Sequence, residues 1–250
     1  MKNILFNEES KEVEEVTRGL NLNGISAIIK KMSIRESLLE YKSSEYSLFI
    51  TGHTLPTMNV VRGALDILEI KPGRKKVSSF MILENIGGKF LFFADCAVNI
   101  NPSEEDLVQI AFDTASSFFK ITENKPRIAF ISYSTHGSGK GESVDKVKKA
   151  YKLFTKKYPN IFADGELQID AALSLDVYKK KTGKDLIEPF NIFIFQNLDT
   201  ANTVYKVAAK LGNMKSYGPF IIGFEKPLID LSRSATSDEI YKTALLGLKL

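Results

Sequence analysis

Short apolar runs alternate with segments of helical spacing along the whole chain, and this alternation constrains the fold more than any other feature. It predicts a layered α/β architecture. Strands are expected at 3–6, 25–29, 46–50, 77–85, 89–95, 127–133, 190–195 and 219–224. The run at 190–195 is apolar throughout except for Asn191, as in a sheet centre covered on both faces. Helices are expected at 8–20, 33–41, 60–67, 103–120, 143–158, 200–211 and 236–250, with helical spacing also at the end of 165–175. Ser33 with Glu36, and Ser103 with Asp106, have the spacing of capping boxes. Gly87-Gly88 between two strands is a hairpin signal.

Composition removes several classes. With 250 residues the chain can bury a large core without staples. Cys96 is the only cysteine, so an intramolecular disulfide is impossible and a reducing compartment is expected. Two histidines and one cysteine cannot build a Cys/His zinc cage. A net charge of +4 suits a small acidic substrate and does not mark a nucleic-acid surface. No apolar segment is long enough to span a membrane, and the acidic N-terminus lacks the form of a targeting peptide. A cytoplasmic protein is therefore expected, with neither nucleic acid nor membrane as partner.

In open α/β sheets ligands bind beyond the carboxyl ends of strands. That directs attention to the loops 51–59, 95–102, 132–142, 196–202 and 225–237, all rich in Ser, Thr, Asn, Gly and charge. The loop Ser134-Thr135-His136-Gly137-Ser138-Gly139-Lys140-Gly141 fails the P-loop spacing: Ser134 stands where the first glycine belongs, and Gly141 follows the lysine. Its backbone N–H groups are still expected to cradle a phosphate, with Lys140 adding charge. No G-x-S-x-G elbow supports a serine hydrolase. Cys96 beside Asp95 reads as packing, because a neighbouring carboxylate disfavours the thiolate. Asp230-Leu231-Ser232-Arg233, just before the closing helix, gathers a hydroxyl and a guanidinium suited to an anion or a developing oxyanion.

These segments together resemble the phosphotransacylases, the phosphate acetyltransferases and phosphate butyryltransferases. The resemblance covers about residues 46–250 and rests on stretches in family order. They are Gly52 with Thr57 through Val61-Arg62-Gly63-Ala64-Leu65, Leu91-Phe92-Phe93-Ala94-Asp95-Cys96-Ala97-Val98-Asn99-Ile100-Asn101-Pro102, Ser132-Tyr133-Ser134-Thr135-His136-Gly137-Ser138, Asp164-Gly165-Glu166-Leu167-Gln168-Ile169-Asp170-Ala171-Ala172, Asn191 to Lys206, and Lys226-Pro227 through Arg233. The acidic Asp-Gly-Glu-Leu-Gln block and Asp-Leu-Ser-Arg favour the acetyl branch. The resemblance implies an α/β, two-domain layered α/β/α fold similar to the isocitrate and isopropylmalate dehydrogenases, with a cleft between domains. The expected domains are 1–78 plus 213–250, and 79–212. It implies a homodimer and an acyltransferase of acetate metabolism, a phosphate acetyltransferase. That enzyme moves an acetyl or short acyl group reversibly between coenzyme A and phosphate, giving acetyl phosphate. No metal or cofactor is implied, since coenzyme A is a substrate. By the same resemblance Ser232, Arg233 and Glu239 are catalytic, Glu239 as the base that deprotonates the thiol. Arg62, Thr57, Ser134, Thr135, Gly137, Ser138, Asn202 and Lys226 are substrate-binding.

The chain departs from the family pattern in three places. Glu239 stands where the acetyltransferases have Asp, and Thr236 with Glu239 is itself a capping box. The first domain is shorter than in the family. Ser234, Gln196, Ala201 and His136 replace the family's Gly, Pro, Gly and Lys. A second expectation follows from these changes, that the protein binds acyl-CoA or phosphate in a regulatory role without turnover.

Overall fold

The computed structural model of the protein describes residues 2–250, which form two compact units. The first is Met1–Ile82 with Lys215–Leu250, and the second is Leu83–Met214. In chain order the first unit opens with β1 (Asn3–Phe6), α1 (Lys11–Leu22), β2 (Ser26–Ile29), α2 (Ile34–Ser43), β3 (Leu48–Thr51), α3 (Thr57–Ile67) and β4 (Ser78–Glu84). The second holds β5 (Phe90–Ala94), α4 (Glu104–Thr122), β6 (Arg127–Ile131), α5 (Glu142–Lys157), β7 (Phe162–Leu167), α6 (Ile169–Leu173), α7 (Leu175–Thr182), β8 (Ile192–Phe195) and α8 (Leu198–Lys210). The chain then completes the first unit with β9 (Lys215–Ile222), β10 (Leu228–Asp230) and α9 (Ser237–Gly247).

Strand order in the first unit is β2-β1-β3-β10-β9-β4. β1 runs parallel to β2 and β3, and β10 runs parallel to β3 but antiparallel to β9. The register sets Asp230 opposite Thr51, so the loops after β3 and β10 leave the sheet at the same end. Phe49 stacks on Tyr41 of α2 at 5.4 Å, and Phe80 on Phe220 at 4.9 Å. Burying each such ring stabilises the fold by about 2–3 kcal/mol.

Strand order in the second unit is β5-β8-β6-β7, all parallel. β8 is buried along its whole length between β5 and β6, which fits its continuous apolar sequence. Phe92, Phe130, Phe154, Phe193 and Phe195 are all buried there. The turn after β4 closes through the Gly88 N–H to the Asn85 carbonyl, with Gly88 at φ +73°.

Most expected elements form within a few residues, and the capping boxes at Ser33 and Ser103 both close. One boundary needs correction, and two strands were not anticipated. The first helix starts at Lys11, capped by Ser10, not at residue 8. Residues 162–167 form a strand paired parallel to β6, and Asp164 and Glu166, whose carboxylates turn to the neighbouring loop, hide it behind an unstrandlike composition. β10 escapes sequence notice because it is three residues long.

Candidate functional site

In the first unit the loops after β3 and β10 are tied together. The Leu231 N–H donates to the Thr51 carbonyl at 2.6 Å, and His53 Nε2 lies 3.3 Å from the Ala235 carbonyl. Beyond this junction stand three residues picked out from sequence: Thr57 at the first position of α3, and Ser232 and Arg233 on the exposed loop. No side chain caps α3, whose preceding residue is Pro56, so its first N–H groups add a positive pole to this end. Arg62 is exposed on the second turn of the same helix. A cavity of about 800 Å³ opens beside the loop, lined in part by Asn7, Glu8, Lys31, Ser33, Thr54 and Leu55. The hydroxyl of Ser232 lies 3.1 Å from that of Ser234, the residue that replaces the family glycine.

Sequence reasoning missed the group that shapes this end. Glu8, just past β1, is nearly buried. Its Oε1 accepts from the Thr51 hydroxyl at 2.8 Å and the Gly52 N–H at 2.7 Å. Its Oε2 accepts from the Thr54 N–H at 2.5 Å and the Thr54 hydroxyl at 2.6 Å. Asp230 approaches the same glycine from another side: a Cβ on Gly52 would lie 2.0 Å from its Oδ1. Asp230 is buried, and among the described residues neither of its carboxylate oxygens accepts a hydrogen bond. Burial pushes its pKa up to about 7, the Glu8 charge adds to the rise, and the Thr57 hydroxyl and Arg233 oppose it.

In the second unit the loop after β6 is shaped by Glu166 of β7. This side chain is 2% exposed and accepts from the Ser134 hydroxyl at 2.8 Å and the Gly137 N–H at 2.7 Å. Burial raises its pKa, but these donors, its own backbone and Lys148 outweigh burial and hold it below the usual range. The expected backbone cradle does not form. The N–H groups of Ser134, Thr135 and Gly139 donate to Ser132, Ser138 and Ser134 hydroxyls, and Ser138 donates to the Thr135 carbonyl. His136 and Gly137 donate to Glu166. All six donors turn inward, and the Ser134 and Thr135 side chains are buried with them. His136, at φ +45°, rests its Nε2 3.1 Å from both carboxylate oxygens of Asp164.

Other expected site residues hold the scaffold. Lys226 Nζ donates to the carbonyls of Tyr41 and Ser44 at 2.7 and 2.5 Å, and lies 4.9 Å from the Tyr41 ring centre. Its charge thus complements the carboxyl end of α2. Asn202 Nδ2 donates to the Cys96 carbonyl at 3.0 Å and steadies the loop after β5. Glu239 Oε2 accepts from the Thr236 N–H at 2.9 Å, and the Glu239 N–H donates to the Thr236 hydroxyl at 3.3 Å. That capping box occupies the carboxylate expected to act as base. Among the described residues no three or more His, Cys, Asp or Glu gather to hold a metal ion, and no helix is long and apolar enough to cross a membrane.

Comparison with known proteins gives a consistent result. Residues 20–248 match the family described as phosphate acetyl/butaryl transferase. A phosphate acetyltransferase of Bacillus subtilis is 38% identical over 84% of this chain and 64% of its own length. One of Acetivibrio thermocellus is 35% identical over 92% of this chain and 71% of its own. The chain thus spans about six-tenths to seven-tenths of the length of these relatives. A phosphotransacetylase structure from Streptococcus pyogenes superposes with a TM-score of 0.89 at 27% identity, covering 99% of this chain and 93% of that one. A 4-hydroxythreonine-4-phosphate dehydrogenase from Klebsiella pneumoniae shares the fold alone, with a TM-score of 0.53 at 12% identity over 90% of this chain and 78% of that one. The expected two-domain α/β fold with dehydrogenase-like relatives is borne out.

Proposed function

Because the chain belongs to the phosphate acetyl/butaryl transferase family, we propose that it transfers an acetyl group reversibly between coenzyme A and inorganic phosphate. The observation that carries this reading is the junction of the loops after β3 and β10. It sets a hydroxyl, a guanidinium and an uncapped helix N-terminus at one end of the first unit. Such donors suit a phosphate and the oxyanion of a tetrahedral intermediate.

A phosphate oxygen attacks the thioester carbonyl carbon, and the carbonyl π pair moves onto oxygen. The intermediate collapses by breaking the C–S bond, so coenzyme A leaves as a thiolate that then takes a proton. Thr57, Arg62 and Arg233 hold the phosphate, while the Ser232 hydroxyl donates to the oxyanion. One well-placed oxyanion donor is worth about 3–4 kcal/mol of barrier, and holding two reactants together supplies much of the rest. A thiolate is an adequate leaving group at neutral pH, its thiol having a pKa of about 8.5. In this direction no acid is required, and Glu239 serves as a helix cap. Coenzyme A is a substrate here, not a resident cofactor. Family likeness supports a homodimer, which sedimentation of the purified protein tests.

The test mixes purified protein with acetyl-CoA and phosphate and follows free thiol, with arsenate as a trap. Phosphate-dependent release that falls about a hundredfold or more in Ser232→Ala and Arg233→Ala supports the reading. Coenzyme A binding with no release would leave a binding protein instead.

A further inference from the structure

We propose that Asp230 is a positioning residue that must carry a proton for an anion to bind beside Thr57 and Arg233, and that Glu8 keeps the proton there. The proposal rests on the transferase reading for the class of its ligand. Its own foundation is the pair of buried carboxyl groups that converge on Gly52. Glu8 holds the glycine N–H, and Asp230 fills the space where a side chain on that glycine would stand.

The two acids are treated very differently. Glu8 accepts four hydrogen bonds from the loop after β3, two at each carboxylate oxygen. Asp230 is 1% exposed, and among the described residues its oxygens accept none. An ionised Asp230 would be a buried charge close to a second anion, with only the Thr57 hydroxyl and Arg233 to favour it, which is costly. As a neutral acid it presents no charge to either Glu8 or a ligand. The groups that face it are Glu8 from the loop after β1, Thr57 from α3 and Arg233 from its own loop. His53, the remaining titratable group of the loop after β3, turns its Nε2 to the Ala235 carbonyl.

The consequence is a linkage. A dianion held by Thr57 and Arg233 adds negative charge next to Asp230 and so strengthens its hold on the proton. By reciprocity, losing that proton weakens anion binding. The neutral range where the Asp230 carboxyl titrates puts this linkage at working pH.

Sulfate is the probe, since it stays a dianion across roughly pH 5.5 to 9, whereas phosphate itself titrates there. Its dissociation constant for the wild-type protein is expected to rise with pH, by up to about tenfold per pH unit above the midpoint. Calorimetry in two buffers of different ionisation enthalpy is expected to detect proton uptake on binding. Asp230→Asn is expected to flatten the dependence and abolish the uptake, and Glu8→Gln to move the midpoint to lower pH. His53→Gln is expected to keep the slope. A wild-type affinity that is flat with pH, the absence of sulfate binding, or an Asp230→Asn protein that keeps the slope would overturn the proposal. Wild-type and Asp230→Asn proteins decide the matter even if Glu8→Gln fails to fold. The thiol-release assay reports separately on the transferase reading.

Discussion

Gly52 sits at φ +95°, with Asp230 Oδ1 and the Leu231 N–H where a Cβ would go. Gly52→Ala therefore combines backbone strain with a clash that no flexible side-chain end can relieve. It is expected to lower stability by about 3 kcal/mol or more, read as a fall in the denaturation midpoint. Glu239 invites a second test, because glutamine serves a capping box as well as glutamate does. Glu239→Gln is expected to keep both stability and thiol release within a few-fold, while Glu239→Ala loses about 1 kcal/mol. A hundredfold loss of kcat in Glu239→Gln would restore it as the base. For Asp230 the sign runs opposite to most carboxylates. Its folded pKa, about 7, lies above its unfolded value, so the folded state binds the extra proton. The group favours folding most below the unfolded pKa, and stability falls as pH rises toward 7, by on the order of 4 kcal/mol. Chemical denaturation across that range is expected to show the slope, and Asp230→Asn to lack it.

At the scale of elements, what could be read from sequence was what is local. Caps at Ser33, Ser103 and Thr236 lie within one turn of the groups they serve, so three-residue spacing reveals them. The β8 core strand declares itself through apolarity. β7 does not, because its Asp164 and Glu166 answer to a loop about thirty positions away. Glu8 was illegible for the same reason: its donors come from 43 to 46 positions downstream. The inward turn of the loop after β6 was missed because its composition matches that of an anion cradle. The direction of its N–H groups is set by the serine hydroxyls within the loop and by Glu166 from the neighbouring strand. Glu166→Ala would leave the Ser134 hydroxyl and the Gly137 N–H without an acceptor and is expected to cost about 2–4 kcal/mol. Glu166 itself, held below the usual range, contributes stability above its unfolded pKa and loses it as pH falls through the folded one. Thermal denaturation of the variant at neutral and acid pH checks both statements.

Across the whole molecule the two units differ in how the chain builds them. The second is one continuous segment, whereas the first is closed by β9, β10 and α9, which arrive only after Lys215. β10 lies inside that unit's strand order, between β3 and β9. A fragment of residues 83–214 is expected to fold by itself, with cooperative loss of helical circular dichroism on heating. A chain ending at residue 214 is expected to keep only that unit folded, since pairings this distant in sequence cannot form without the returning segment. The place of Glu8 carries a practical corollary for anyone producing the protein. An aminopeptidase, or a plasmid with its initiation codon set slightly late, would clip away β1 from between β2 and β3 together with the acid that grips residues 51–54. Such a preparation could look sound by its intact second unit while the loop leading into Thr57 had lost its anchor, so a mass spectrum of the purified chain should precede any assay of its activity.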